Sequence, residues 1–494
     1  MTEASSYMLS PSAIHKAIQD RIGRMKGTDI KAKSARAVMA LSAGTIAGRS
    51  MRFIRCMILA RIMAPDQLGV MAIIMSFSIA FETLTEVGVK QSIIQNKEGS
   101  QDDYLNVAWW IQVVRGLCLF SIAVLLAPWL SSFYGKPELL NLLRVAFIAI
   151  ALRGFVSPRA HVFEKEYKFG RSVFLTQGSA ILGALISIGL AFVMRNVWAL
   201  VIGFVVEMAI LCILSFILVP FMPRFEIDRK SLSELLKFSR RIFGLPILNA
   251  ISFQAPILIL GKVISSHQLG LYSLAVLFAY IPTDLYLRII GPVLLPAFSE
   301  VQDDKRALYR GLLRTTRYTA FLVVPLVAFM ACGSRELLGI VYESQYVIMA
   351  VPFAILCLLI LVRCESLIFV GMYLAVGKPH LQRRFAMIRA AIIIVFIYPA
   401  AVHFGPIGVV VVVVLSNFSV LLLQVIVARK MFDLELSCYV RSYIPGLLLA
   451  LPIIMTFSLL WLFGMDSPVL VLAIGISVLI TAVIAGLYIL NRPK

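Results

Sequence analysis

The chain has 494 residues, 60% of them hydrophobic and only 15% charged, with a mean hydropathy of +0.91. Soluble domains carry roughly a quarter charged residues, so a soluble globular class is excluded. The formal net charge is +20, but no Lys/Arg-rich run is interleaved with aromatics on a polar segment, which argues against nucleic-acid binding.

Apolar stretches of about twenty residues recur along the chain, each long enough to cross a bilayer as a helix. The alternating ten-residue pattern of a membrane barrel is missing, so the expected fold is all-α and integral to the membrane. Residues 1–36 are polar and basic, with Ile14, Ile18 and Ile22 at helical spacing. A helix lying on the inner leaflet and a disordered tail both fit them. The first apolar segment is too long for a signal-peptide core, so no cleavable signal is expected.

Hydropathy, charge and turn residues then predict 14 spans: 37–60, 68–89, 104–127, 139–157, 173–194, 197–219, 241–262, 270–295, 316–333, 347–374, 386–403, 407–428, 442–463 and 468–490. Two pairs are parted only by short turns, at Arg195-Asn196 and at Phe404-Gly405-Pro406. Connections 220–240 and 296–315 pattern as short amphipathic helices, and Ser231 with Glu234 has capping-box spacing.

Basic residues gather in every second loop. Roughly 32 of the 46 lysines and arginines fall on the side of the N-terminus, among them Lys165, Lys168, Arg171, Lys237 and Arg310. The opposite loops hold Arg61, Lys136, Arg195, Lys262 and Arg335. The positive-inside rule therefore predicts that both termini are cytoplasmic. No outer loop exceeds about fifteen residues on this topology, which leaves no room for an external catalytic domain.

The seven cysteines lack CxxC spacing and the five histidines are scattered, so neither disulfides, a metal site nor a cofactor is expected. Asp-x-Asp, a nucleotide-binding glycine loop and a Ser/His/Asp grouping are all missing, and an enzyme is not expected.

Shifted by 201 residues, the chain matches itself. Ile58–Phe77 reads ILARIMAPDQLGVMAIIMSF and Ile259–Phe278 reads ILGKVISSHQLGLYSLAVLF, with Gln67-Leu68-Gly69 on Gln268-Leu269-Gly270. Both passages end a span, cross a loop and begin the next span. The expected organisation is a basic segment 1–36, a six-helix bundle 37–219, a cytoplasmic linker 220–240, a second six-helix bundle 241–428 and two further helices within 442–490. Transporters built from repeats bind their substrate between the halves.

A charge at the bilayer centre costs roughly 2.5 to 3.5 kcal/mol on insertion scales, so each one needs a reason. The first span carries Arg49, Arg52 and Arg55, and Ser42, Thr45, Arg49 and Arg52 fall within about an 80° arc at 100° per residue. Arg115, Arg144, Arg153, Arg288, Arg363 and Arg389 lie in later spans, against Glu82, Glu86, Glu207, Asp284 and Glu365. The surplus is positive, and guanidinium forks suit phosphate or pyrophosphate. The plainer reading keeps its place: Asp284 and Arg288 are an i,i+4 pair, while Arg144, Arg153 and Arg389 are near enough to span ends to snorkel. Pro246, Pro256, Pro282, Pro292 and Pro296 interrupt spans 7 and 8, where breaks permit bending.

LARIMAPDQLGVMAI from Leu59, then ETLTEVGVKQSIIQ from Glu82, resembles the first two helices of bacterial Wzx-like polysaccharide transporters. That family belongs to the superfamily of multidrug, oligosaccharidyl-lipid and polysaccharide exporters (MOP). LLKFSRRIFGLPILNA from Leu235, with the passage Leu258–Asp304, is similar to the family's middle segment. Glu86-Val87-Gly88 stands where the family often has Asp-Leu-Gly.

The resemblance covers roughly residues 37–430. It implies two six-helix bundles of the MATE-like (MOP) fold around a cavity lined by arginines, and export of undecaprenyl-pyrophosphate-linked oligosaccharide across the bacterial inner membrane by alternating access. Membrane lipids, a polysaccharide polymerase and a chain-length regulator would be partners, and a succinoglycan-type exporter fits the length and basic character. Arg49, Arg52, Arg55, Arg288 and Arg363 are the candidate pyrophosphate residues, and Glu82, Asp284 and Glu365 the candidate ion-coupling groups. A MATE-type drug or cation antiporter and a lipid II flippase remain alternatives. The antiporter predicts acidic cavity charges, and the first span has none.

Overall fold

The computed structural model describes residues 47–84, 88–166, 169–224, 228–242, 244–465 and 467–490. The basic segment 1–36, Ser42, Thr45 and Glu86 lie outside the described residues. Each predicted span is helical over most of its described part, and no strand occurs among the described residues. Ten helices there are long and apolar enough to cross a membrane, and one of them, Pro379–Phe432, holds two predicted spans.

Large apolar side chains point outward: Leu125 is 78% exposed, Val193 84% and Phe463 79%. In water that surface would be costly, whereas in hydrocarbon it costs nothing and only the backbone must be satisfied internally. Small residues sit inside, where helices cross. A Cβ built on Gly183 falls 2.5 Å from the Glu207 side chain, and one on Gly203 falls 2.7 Å from Ser187. Spans 5 (Phe169–Met194) and 6 (Val197–Leu218) thus pack closely through glycine and serine.

The two expected short turns are present. Arg195, at φ 48°, takes the left-handed conformation between spans 5 and 6, and its carbonyl accepts a hydrogen bond from Gln67 Nε2 at 3.1 Å. Gly405, at φ 55° and ψ −137°, is a one-residue kink within Pro379–Phe432. Pro406 bars its predecessor from the helical region, and glycine accepts the positive φ without a Cβ clash.

The amphipathic connections differ in part from expectation. Residues 220–240 supply the helix Arg229–Ile242, which buries Leu235 completely against Val89, Ile93, Tyr104 and Trp109. Its cap is Asp228, not Ser231. The Asp228 carboxylate accepts the backbone N–H of Ser231 at 2.8 Å, and Glu234 instead accepts from Asn96 Nδ2 at 2.8 Å. The helix starts one turn earlier because an aspartate precedes it. Residues 296–315 form no separate helix: Ser266–Ser299 runs on, and Lys305–Cys332 starts after Asp304, whose Oδ1 accepts from the N–H groups of Arg306 and Ala307.

By packing, the chain forms two compact units. One holds the described residues of Met39–Leu274 and Ala386–Val413, the other those of Ala275–Phe385 and Val414–Lys494. In the first, the two repeated passages meet. A Cβ on Gly69 would lie 2.0 Å from the Ser266 carbonyl oxygen, and one on Gly270 1.9 Å from that of Pro65. Residues 65 and 266, like 69 and 270, are equivalents in the repeat, so the contact is self-complementary about a local two-fold axis. Asp66 and His267, also equivalents, face each other across it at 3.3 Å.

Candidate functional site

The first span is helical over 47–62, and Arg49, Arg52 and Arg55 are all partly buried on it. Gly48 lies directly under Gln177, so this helix runs against span 5. Arg55 Nη1 meets Glu207 Oε2 at 3.1 Å, with the two side chains 21% and 12% exposed. Gly183 makes the room that Glu207 occupies, so a glycine on span 5 positions the carboxylate that neutralises Arg55. Three guanidiniums thus follow one another along a membrane helix, and the third has its charge met within the bundle.

Glu82, Arg115 and Arg153 converge in the same unit on a cavity of about 210 Å³. Arg153 Nε meets Glu82 Oε1 at 2.5 Å, and Arg115 Nη2 donates to the Glu82 carbonyl oxygen at 2.5 Å. Glu82 is therefore clamped between two guanidiniums, and Arg153 turns inward to it as well as towards its span end. The wall continues with His161, Glu164, Ser172 and Thr176. Glu164 accepts from Lys90 at 2.7 Å and from Ser172 Oγ at 3.1 Å. His161, one side open to the cavity and the rest packed in protein, is pushed down to about 4 by burial and then by the charge of Lys90. Outside the bundle, hydrogen bonds from Ser231 hold the Asp228 carboxyl below its ordinary value, and Glu98 raises Lys230.

Arg389 does not simply snorkel. Its Nη2 donates to Asn249 Oδ1 at 2.8 Å and its Nε to Ser252 Oγ at 3.2 Å, tying span 11 to span 7 (Leu245–Val263). Asn249 and Ser252 are i,i+3 on one face, a signal that was available in the sequence. Arg144 is exposed, as a span-end residue would be.

In the second unit, Arg363 lies over the Tyr280 ring, 4.5 Å from its centre. Asp284 is partly buried and Arg288 exposed. Glu365, two positions beyond Arg363, is completely buried. Its Oε2 accepts from Thr316 at 3.1 Å and faces the Tyr439 hydroxyl at 3.5 Å, while Oε1 is buried without a hydrogen-bond partner. Three local groups stand out: the first-span arginines, the Glu82 cavity and the Glu365 cluster, while Asp284, Arg288 and Arg363 fall in none of them.

A model of a family described as polysaccharide biosynthesis protein matches residues 58–351. The succinoglycan biosynthesis transport protein ExoT of Rhizobium meliloti is 24% identical over 345 residues, 69% of each chain. The lipopolysaccharide biosynthesis protein WzxC of Escherichia coli is 22% identical over 354 residues, 71% of this chain and 72% of that one. Among solved structures, the lipid II flippase MurJ in an inward closed conformation superposes with a TM-score of 0.76 at 14% identity, covering 92% of this chain and 99% of MurJ. An inward-facing MATE multidrug transporter of the MOP superfamily gives 0.62 at 13% identity, covering 84% and 97%. These likenesses show the MOP fold.

Proposed function

Because the chain belongs to the polysaccharide biosynthesis protein family, and one similar protein is named a succinoglycan biosynthesis transport protein, we propose that it is a flippase moving a polyprenyl-pyrophosphate-linked oligosaccharide across the bacterial inner membrane. The observation that carries this reading is the row of Arg49, Arg52 and Arg55 on a membrane helix of a MOP-fold transporter. Guanidinium forks in a low-dielectric setting suit a pyrophosphate, and a strong anionic ligand would offset the insertion cost of so many charges on one span. Arg55, held by Glu207, orients the row, and Arg49 and Arg52 take the phosphates.

The contact of the repeated passages supports alternating access. With both termini in the cytoplasm, as the basic loops favour, Gly69 and Gly270 lie at the outer end and their contact closes that end. Sugars occupy the polar path and the polyprenyl chain stays in lipid. The product passes to a polymerase and its chain-length regulator.

The test is export of polymer by cells carrying Arg49→Gln together with Arg52→Gln. The double variant should reach the membrane in normal amount and lose at least tenfold in export. Wild-type export by that variant would remove the assignment of these residues.

A further inference from the structure

Glu365 is the one carboxylate of the described residues that is fully buried. Among the described residues no lysine, arginine or histidine lies within ion-pair reach of it. The elements packed around it supply Thr316, Tyr439 and Tyr443, with Tyr286 behind, hydrogen-bonded to Thr319 at 2.6 Å. Its own helix supplies Cys364, while Arg363 is turned to the Tyr280 ring. All of these neighbours except Arg363 are neutral. An ionised carboxylate there would be desolvated and uncompensated, so the site calls for a bound cation or a proton.

A path leads out of it. The Tyr439 hydroxyl is 3.5 Å from Glu365 Oε2 and 2.8 Å from the Tyr443 hydroxyl. Exposure rises along this line, from buried Glu365 through buried Tyr439 to partly exposed Tyr443. Both tyrosines stand where the chain enters the thirteenth span, Ile444–Leu462, one of the two helices outside the repeat.

We propose that Glu365 is the group through which this transporter binds and releases a coupling proton, and that Tyr439 and Tyr443 conduct it. On release, Glu365 passes its proton to the Tyr439 oxygen. Tyr439 gives its own to the Tyr443 oxygen, and Tyr443 gives its own to water, leaving a carboxylate and a hydronium ion with both phenols neutral. Oε1 is buried without a hydrogen-bond partner, and a protonated carboxyl there is neutral, so a proton is the simpler ligand. The thirteenth span thereby acquires a role beyond the repeat: it carries the conduit. The coupling role rests on the flippase reading, but the protonation does not.

The experiment is infrared titration of the purified full chain in detergent, following the carbonyl band of a protonated carboxylic acid. Wild type should show the band at neutral pH and lose it as pH rises, unchanged when sodium replaces potassium. Glu365→Gln should abolish that band while keeping the wild-type melting temperature. Tyr443→Phe should keep it and slow its deuterium exchange at least tenfold. Should Glu365→Gln fold poorly, Tyr439→Phe serves instead. It breaks the conduit at its first member and should slow the band's deuterium exchange at least tenfold.

A band at neutral pH indifferent to both substitutions, or one that sodium alone removes, overturns the proposal. So does wild-type export by Glu365→Gln in cells, because a coupling group cannot be dispensable. None of these outcomes touches the cargo assignment, which Arg49 and Arg52 test separately.

Discussion

The charges inside the bundle do different work, and the difference is set by what faces each of them. Arg55 and Glu207 are mutual partners, so removing one leaves the other partly buried and uncompensated. Glu207→Gln should lower thermal stability, and adding Arg55→Gln should recover part of the loss. The coupling in a double-mutant cycle is expected at about 1–3 kcal/mol. His161 makes a different statement. Its folded-state value, about 4, lies below the ordinary one near 6.5. Between these limits the unfolded chain binds more protons, so its contribution is complete above about pH 6.5, falls with acidification and is gone by about pH 4. Melting temperatures measured across that range should drop for wild type and stay flatter for His161→Gln.

The position of most intramembrane arginines was legible in the sequence, but their partners were not. Glu207 meets Arg55 across 152 residues of chain, and Asn249 meets Arg389 across 140. Periodicity places a side chain on a face and says nothing of the opposing face. Asp228 was missed as a cap for a simpler reason: the Ser231–Glu234 spacing fits the motif one turn too late.

Spans and breakers were readable because each has a local cause. Twenty apolar residues make a membrane helix wherever they fall, and Gly405-Pro406 and Arg195 break helices by their own backbone preferences. The length of the helices around residue 300 was not readable, since polar residues can continue a helix into water as easily as end it. Neither was the approach of Gly69 to Ser266 and of Gly270 to Pro65, although the repeat that produces it was. At these two glycines a side chain would strike backbone, which can yield only by parting the two passages. Gly270→Leu should therefore open this end by about 1–3 kcal/mol, the usual cost of overpacking. In cells, a short bifunctional thiol reagent should join Asp66→Cys to His267→Cys efficiently in a background without native cysteines. Gly270→Leu should cut the yield several-fold, and unchanged yield would show that the contact tolerates the side chain.

At the scale of the whole molecule, family and fold agree on a polysaccharide transporter, and the two helices within 442–490 add to the repeated core without altering that reading. Binding an anion on one face of the membrane and releasing it on the other requires two arrangements of similar energy. Two arrangements that differ at the self-complementary contact of the repeated passages would supply such a pair. The cargo is the central claim, and it is tested most directly by measuring the polyprenyl-pyrophosphate-linked oligosaccharide in cells lacking this chain. The account predicts a complete sugar unit accumulating on the inner leaflet while its polymer disappears from outside. Normal lipid-linked pools together with normal polymer would contradict it.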